Sequence, residues 1–215
     1  MQTSIAIDGP AGAGKSTIAK LLGEKYKLMY INTGSMYRAV TLFAMKKGID
    51  STEVDKLCNL IETLNMHFHN DNLIVNGVDV TKNLTDIEVT NNVSKYASVL
   101  EVRRNLVRMQ QEIAKDYDVI MDGRDIGTVV LENATLKIFL TARAEERAKR
   151  RYDELIAKNI KVDYNNILED IKKRDYIDSH REIDPLRKAD DAIEIDSSLM
   201  NIEEVVEEIS KYIKK

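Results

Sequence analysis

Cysteine is nearly absent from this 215-residue chain, proline occurs twice and tryptophan not at all. A single thiol, Cys58, can build neither a disulfide framework nor a cysteine-bearing zinc set. Its setting in "TEVDKLCNLIETL", where Val54, Leu57, Ile61 and Leu64 recur at helical spacing, makes it a buried or half-buried thiol rather than a nucleophile. No run approaches the roughly 18 apolar residues of a membrane span, and the N-terminus "MQTSIAIDGP" lacks a basic stretch followed by a long apolar one. Neither export nor membrane insertion is expected, and the cytoplasm is the default location. A formal net charge of -4 argues against a protein that grips nucleic acid by its phosphates, so any anion it binds must be met by local positive charge. What is present is 43% hydrophobic and 32% charged residues without a low-complexity run, which suits one globular, helix-rich domain with room for a small insertion.

Five short apolar runs, "SIAI" (4–7), "LMYI" (28–31), "DVIM" (118–121), "LKIFL" (136–140) and "AIEI" (192–195), read as buried parallel strands. Longer stretches of helical spacing separate them, so the expected fold is α/β, a doubly wound five-stranded parallel sheet with ligands beyond the carboxyl ends of its strands. One region departs from this rhythm. "MHFHNDNLIVNGVDVT" (66–81) alternates apolar and polar residues around "NDN" and "NG" turn signals, and is expected to be a small antiparallel insertion. His67 and His69 would share a strand face there, but with no third ligand nearby they are read as ordinary strand residues.

"GPAGAGKS", Gly9 to Ser16, fits G-x-x-x-x-G-K-[ST] between an apolar strand and a helical run. Gly9, Pro10, Ala11, Gly12, Ala13 and Gly14 would form a tight loop whose N–H groups face a polyphosphate, helped by the helix N-terminus that follows. Lys15 would reach the β and γ phosphates, Ser16 would ligate Mg²⁺, and Thr17 would join them in binding ATP. Asp122, closing the strand "DVIM", is placed to support that metal and its waters, with a helix-capping or turn role as the alternative. The loop by itself leaves motors, switches and small-molecule kinases open. The chain shows no N-K-x-D guanine motif, no ABC-type signature and no second domain, which leaves a small-molecule kinase.

"IDGPAGAGKST", "NTGSMYRAV", "MDGRDIGTVV", "KIFLTARAEERAKRR" and "IKKRDYIDSHR", in this order, resemble the bacterial cytidylate kinases, a family of P-loop nucleoside monophosphate kinases, over nearly the whole chain. The inserted hairpin also resembles that family's extension of the monophosphate-binding region. The resemblance implies a single P-loop kinase domain over 1–215: a core of about 1–35, 98–142 and 188–215, a monophosphate-binding region of about 36–97, and a short helical lid of about 143–187. It implies transfer of the γ phosphate of Mg²⁺-bound ATP to CMP or dCMP, by a monomer that needs only small-molecule partners.

An acceptor phosphate carries close to two negative charges above its second pKa of about 6 and needs no general base, only cations to bring two polyanions into line. The family's acceptor-side and transfer-site arginines match Arg38, Arg124 and Arg181, with Thr33 and Tyr37 beside the first. By the same resemblance Arg124 grips the acceptor phosphate and Asp125 accepts from the cytosine amine, where uracil would present a second acceptor and be disfavoured. Ser94 and Arg103 match the other cytosine contacts, and Arg174 and Asp178 those around the ribose. Arg103 and Arg104 have a second reading as solvated surface charges. In "RAEERAKRR" the lid would bring Arg150 and Arg151 over the donor; Glu145–Lys149 and Glu146–Arg150 are the salt bridges a plain surface helix would form. Asn32 stands where the family usually has an aspartate. A kinase of UMP or of a hydroxy acid such as shikimate, and a P-loop switch or ATPase, remain the alternatives.

Overall fold

The computed structural model describes residues 2–213. In chain order its elements are β1 (Ser4–Asp8), α1 (Lys15–Tyr26), β2 (Met29–Asn32), α2 (Thr33–Lys46), α3 (Val54–Glu62), β3 (Met66–His69), β4 (Asn72–Val75), β5 (Val78–Asp79), α4 (Ile87–Ala97), α5 (Leu100–Asp116), β6 (Val119–Gly123), β7 (Leu136–Thr141), α6 (Ala144–Ala157), α7 (Tyr164–His180), β8 (Ile193–Asp196) and α8 (Ile202–Ser210). Five strands form one sheet in the order β2-β6-β1-β7-β8. The β1–β6, β1–β7 and β7–β8 pairs are parallel, with Asp8 opposite both Gly123 and Phe139. All five strands expected from the apolar runs form. β1 is central, and its Ile5, Ala6 and Ile7 are buried, which is why the strand reads as a continuous apolar run rather than an alternation.

The chain divides into two compact units, Met1–Met29 with Asp118–Lys215, and Tyr30–Tyr117. In the first, α1 buries Lys15, Ile18, Ala19, Leu22 and Gly23, a stripe at helical spacing, and packs against β6 and α8. Helices α6 and α7 pack on each other within this unit.

The second unit has its own core, with Met36, Val40, Leu57, Leu60, Val89, Val93, Val102 and Leu106 among its buried residues. Val102 and Leu106 belong to α5, which contributes to this unit's apolar packing. The insertion forms as expected: β3, β4 and β5 make an antiparallel three-stranded sheet. Its turns carry Asn70, Asp71, Asn76 and Gly77, all at positive φ, the backbone that two-residue hairpin turns require. His67 and His69 are exposed, and no group of three potential metal-ligating side chains occurs among the described residues. Cys58 is half-buried in α3, and burial pushes its thiol pKa up.

Candidate active site

The loop after β1 is built around backbone that side chains would obstruct. Gly9 has φ +147°, and a Cβ there would lie 1.9 Å from the Leu140 carbonyl oxygen. Gly12 (φ +75°) and Gly14 (φ +90°) complete the turn into α1. Gly14 occupies the N-cap without a side-chain cap, and the first turn holds no acidic residue, so the amide end of α1 faces the loop unscreened. Lys15 is 5% exposed, its Nζ donating to the Pro10 carbonyl at 2.8 Å. Burial, and next the charge of Arg124, hold its pKa well below the ordinary lysine value, while Asp122 and Asp8 act the other way. A polyphosphate would relieve that imbalance.

Ser16 Oγ donates to Asp122 Oδ2 at 2.8 Å, which brings together the hydroxyl and the strand-end carboxylate singled out for the metal. Beyond Asp122 the chain presents Arg124, whose Nε donates to Asp178 Oδ2 at 2.7 Å. Arg174 lies 3.9 Å from the same carboxylate, one helical turn away on α7. Burial alone would raise the Asp178 pKa, but Arg124 and Arg174 outweigh it and hold it below the usual carboxylate value. Arg181 caps the end of α7; it donates to the Asp184 carbonyl at 2.7 Å through Nε and approaches Asp125 Oδ1 to 3.5 Å through Nη2. Lys15, Arg124, Arg174, Arg181, Asp125 and Asp178 therefore form one charge-dense cluster in the first unit, its lysine and carboxylates buried and its arginines half-buried.

In the second unit Asn32 caps α2, accepting from the Ser35 N–H at 2.9 Å and donating to the Tyr30 hydroxyl at 3.0 Å. An asparagine keeps the capping acceptor of an aspartate without its charge. Thr33 and Tyr37 are buried on the helix that follows, and Arg38 is half-buried. Gly34 leaves room for Arg38: a Cβ there would lie 3.0 Å from the Arg38 Nη1. Arg103 is 1% exposed, stacks its guanidinium 5.6 Å from the Tyr37 ring centroid and donates to the Ala97 carbonyl at 3.3 Å. It is not a solvated surface charge, whereas Arg104 is exposed. Ser94 is half-buried on α4, its carbonyl accepting from the Ser98 hydroxyl.

The arginines of "RAEERAKRR" divide among separate partners. Arg150 donates to the Ser197 carbonyl at 2.5 Å beyond β8, and Arg151 pairs with Glu154 on the helix surface. Arg147 is the one that meets the phosphate loop. It is 5% exposed and donates to the Ala11 carbonyl at 2.9 Å, the Ala142 carbonyl at 2.8 Å and both oxygens of Asp175. Nothing local marks it out among the five cations of "RAEERAKRR"; only the fold buries this one. The surface pairs also differ: Lys149 binds Asp153 one turn ahead, and Glu145 reaches across to Lys172 on α7. Asp8 is the other residue not singled out beforehand, although a charge ending an apolar strand signals that a buried partner must exist.

A phosphate-cradling loop, a hydroxyl–carboxylate pair and a cluster of arginines on a parallel sheet define a P-loop phosphotransferase. Solved structures of similar fold include a shikimate kinase from Bacteroides thetaiotaomicron (TM-score 0.51, 13% identity, 98% of each chain covered). An uncharacterized protein from Eubacterium ventriosum is also similar (TM-score 0.54, 16% identity, 99% and 98% covered). At such identities the likeness concerns the fold alone. The chain belongs to the cytidylate kinase family, whose model matches residues 5–215. It is 65% identical to the cytidylate kinase of Clostridium acetobutylicum over 100% of this chain and 99% of that one. It is 61% identical to the Clostridium perfringens enzyme of the same name, over 99% and 98%.

Proposed function

We propose that the chain transfers the γ phosphate of ATP to CMP or dCMP, giving ADP and CDP or dCDP. An oxygen of the acceptor phosphate attacks the γ phosphorus in line, and the bond to the β,γ-bridging oxygen breaks as ADP departs. Lys15 and the loop amides hold the donor phosphates. Arg38, Arg124 and Arg181 offset charge on the acceptor and transferred groups, a task for electrostatics and positioning rather than for a general base.

Ser16 Oγ and Asp122 Oδ2, 2.8 Å apart, are hard oxygen donors that fit Mg²⁺. With no group of three metal-ligating side chains among the described residues, they would hold the ion together with the nucleotide phosphates. The ion supplies charge neutralisation between donor phosphates. Asp125 and Arg103, with Ser94, select cytosine; Arg174 and Asp178 face the ribose; Thr33 and Tyr37 support Arg38. Arg150 and Arg151 join the donor site when the lid closes. The enzyme works as a cytoplasmic monomer, a state that sedimentation would test.

The observation that carries this reading is the charge-dense cluster in which Arg124 is held by Asp178 and Arg181 approaches Asp125, beside Lys15. Steady-state ADP production with Mg·ATP and matched CMP, dCMP, UMP, AMP, GMP and shikimate tests it. CMP and dCMP should dominate. Equal use of UMP would remove Asp125 from base selection, and turnover that no acceptor raises would remove the kinase assignment.

A further inference from the structure

Asp8 closes β1 immediately before the phosphate loop, a place where a negative charge works against binding a polyanion. Its side chain is 5% exposed, and its two oxygens are both engaged by backbone: Oδ1 accepts from the Ile126 N–H at 2.8 Å and Oδ2 from the Gly127 N–H at 2.7 Å. These amides open a π-helical turn, Ile126–Val130, whose flanking residue is Asp125. Such first-turn amides lack partners within the turn and are ordinarily capped by the residue just before it. Here that residue makes no side-chain cap. The capping is done from a strand 118 residues away in sequence.

The turn sits directly against the carboxylate: a Cβ on Gly127 would be at ordinary contact distance, 3.4 Å, from Asp8 Oδ2, and 3.1 Å from the Lys137 Cδ. Burial is the largest influence on Asp8 and pushes its carboxyl up to about 7, against the two N–H donors. A group placed at such a cost to its own ionisation is placed for what it holds.

We infer that Asp8 is a positioning residue that caps the 126–130 turn in place of Asp125, so that the Asp125 carboxylate is held toward the acceptor base. This rests on the reading of Asp125 as the base-selecting residue. Loss of one backbone-to-carboxylate hydrogen bond lets the turn shift, and the effect should fall on base recognition rather than on ATP.

The experiment compares Asp8→Asn and Asp125→Asn for KM and kcat with CMP and UMP, together with KM for ATP and melting temperature. The expected result is a rise of about tenfold in KM for CMP and a drop of about tenfold in CMP-over-UMP preference in Asp8→Asn, the size of one charge-assisted hydrogen bond. A merely structural role would lower the melting temperature and leave the preference intact. If Asp125→Asn loses the preference while Asp8→Asn keeps it, the inference is overturned and the base assignment stands. If Asp125→Asn keeps the preference, the base assignment fails and the inference with it. Should Asp8→Asn not fold, Asp8→Glu, which keeps the carboxylate but displaces it from the Ile126 and Gly127 N–H donors by one methylene, carries the same expectation and the same overturning result.

Discussion

Gly34 stands in the first turn of α2, where an alanine would favour the helix by up to roughly 1 kcal/mol. Its value lies in the 3.0 Å that a Cβ would leave to the Arg38 guanidinium, with the Asn32 Oδ1 at 3.2 Å. The Arg38 end belongs to a flexible side chain that can give way, whereas Asn32 Oδ1 caps α2 by accepting from the Ser35 N–H, so in Gly34→Ala the gain in helix propensity and the loss of about 1 kcal/mol of capping should roughly cancel in the fold. The expected outcome is a melting temperature that hardly moves and a kcat/KM for CMP reduced about tenfold, equivalent to one displaced charged contact. A lowered melting temperature with unchanged kcat/KM would mean that the glycine serves the backbone and not Arg38.

Elements rather than residues are what Arg147 ties together. Its guanidinium spans the phosphate loop, the exit of β7 and α7, the helix that also carries Arg174 and Asp178 and is capped by Arg181. Replacing it with methionine leaves the Ala11 and Ala142 carbonyls and Asp175 without their donor. Because Asp175 is 25% exposed, the cost should fall below that of a fully buried pair, about 2–3 kcal/mol in urea unfolding. KM for ATP should rise severalfold as the loop loses its fixed carbonyl. Asp175→Asn keeps one hydrogen bond and should cost only about 1 kcal/mol. A destabilised Arg147→Met enzyme with wild-type KM for ATP would show that the loop holds its shape alone.

Across the whole molecule two buried carboxylates pull the pH dependence of stability in opposite directions. Asp178 is held below the ordinary value of 3.8, so the stability it contributes is present above about pH 4 and is lost as pH falls through its folded pKa. Asp8 is raised to about 7, so the folded state binds its proton more tightly and stability falls as pH rises from about 4 to about 7. Denaturant midpoints from about pH 2 to about pH 8 should show Asp178→Asn losing the acid limb and Asp8→Asn losing the decline toward neutrality; unchanged profiles would rule out these shifts. The sequence by itself determined the five strands, the hairpin insertion and the phosphate loop, because buried parallel strands, NG-type turns and G-x-x-x-x-G-K-S each arise from short-range chemistry. Resemblance supplied Arg38, Arg124, Asp125 and Arg181 as candidates, but not their partners. Only the tertiary structure decided that Arg147 and not Arg150 meets the loop, that Arg103 stacks on Tyr37, that α5 joins the second unit's core, and that Asp8 caps a turn 118 residues away. Those are long-range choices among chemically equivalent charges and apolar stripes, and burial, which no local spacing encodes, makes them.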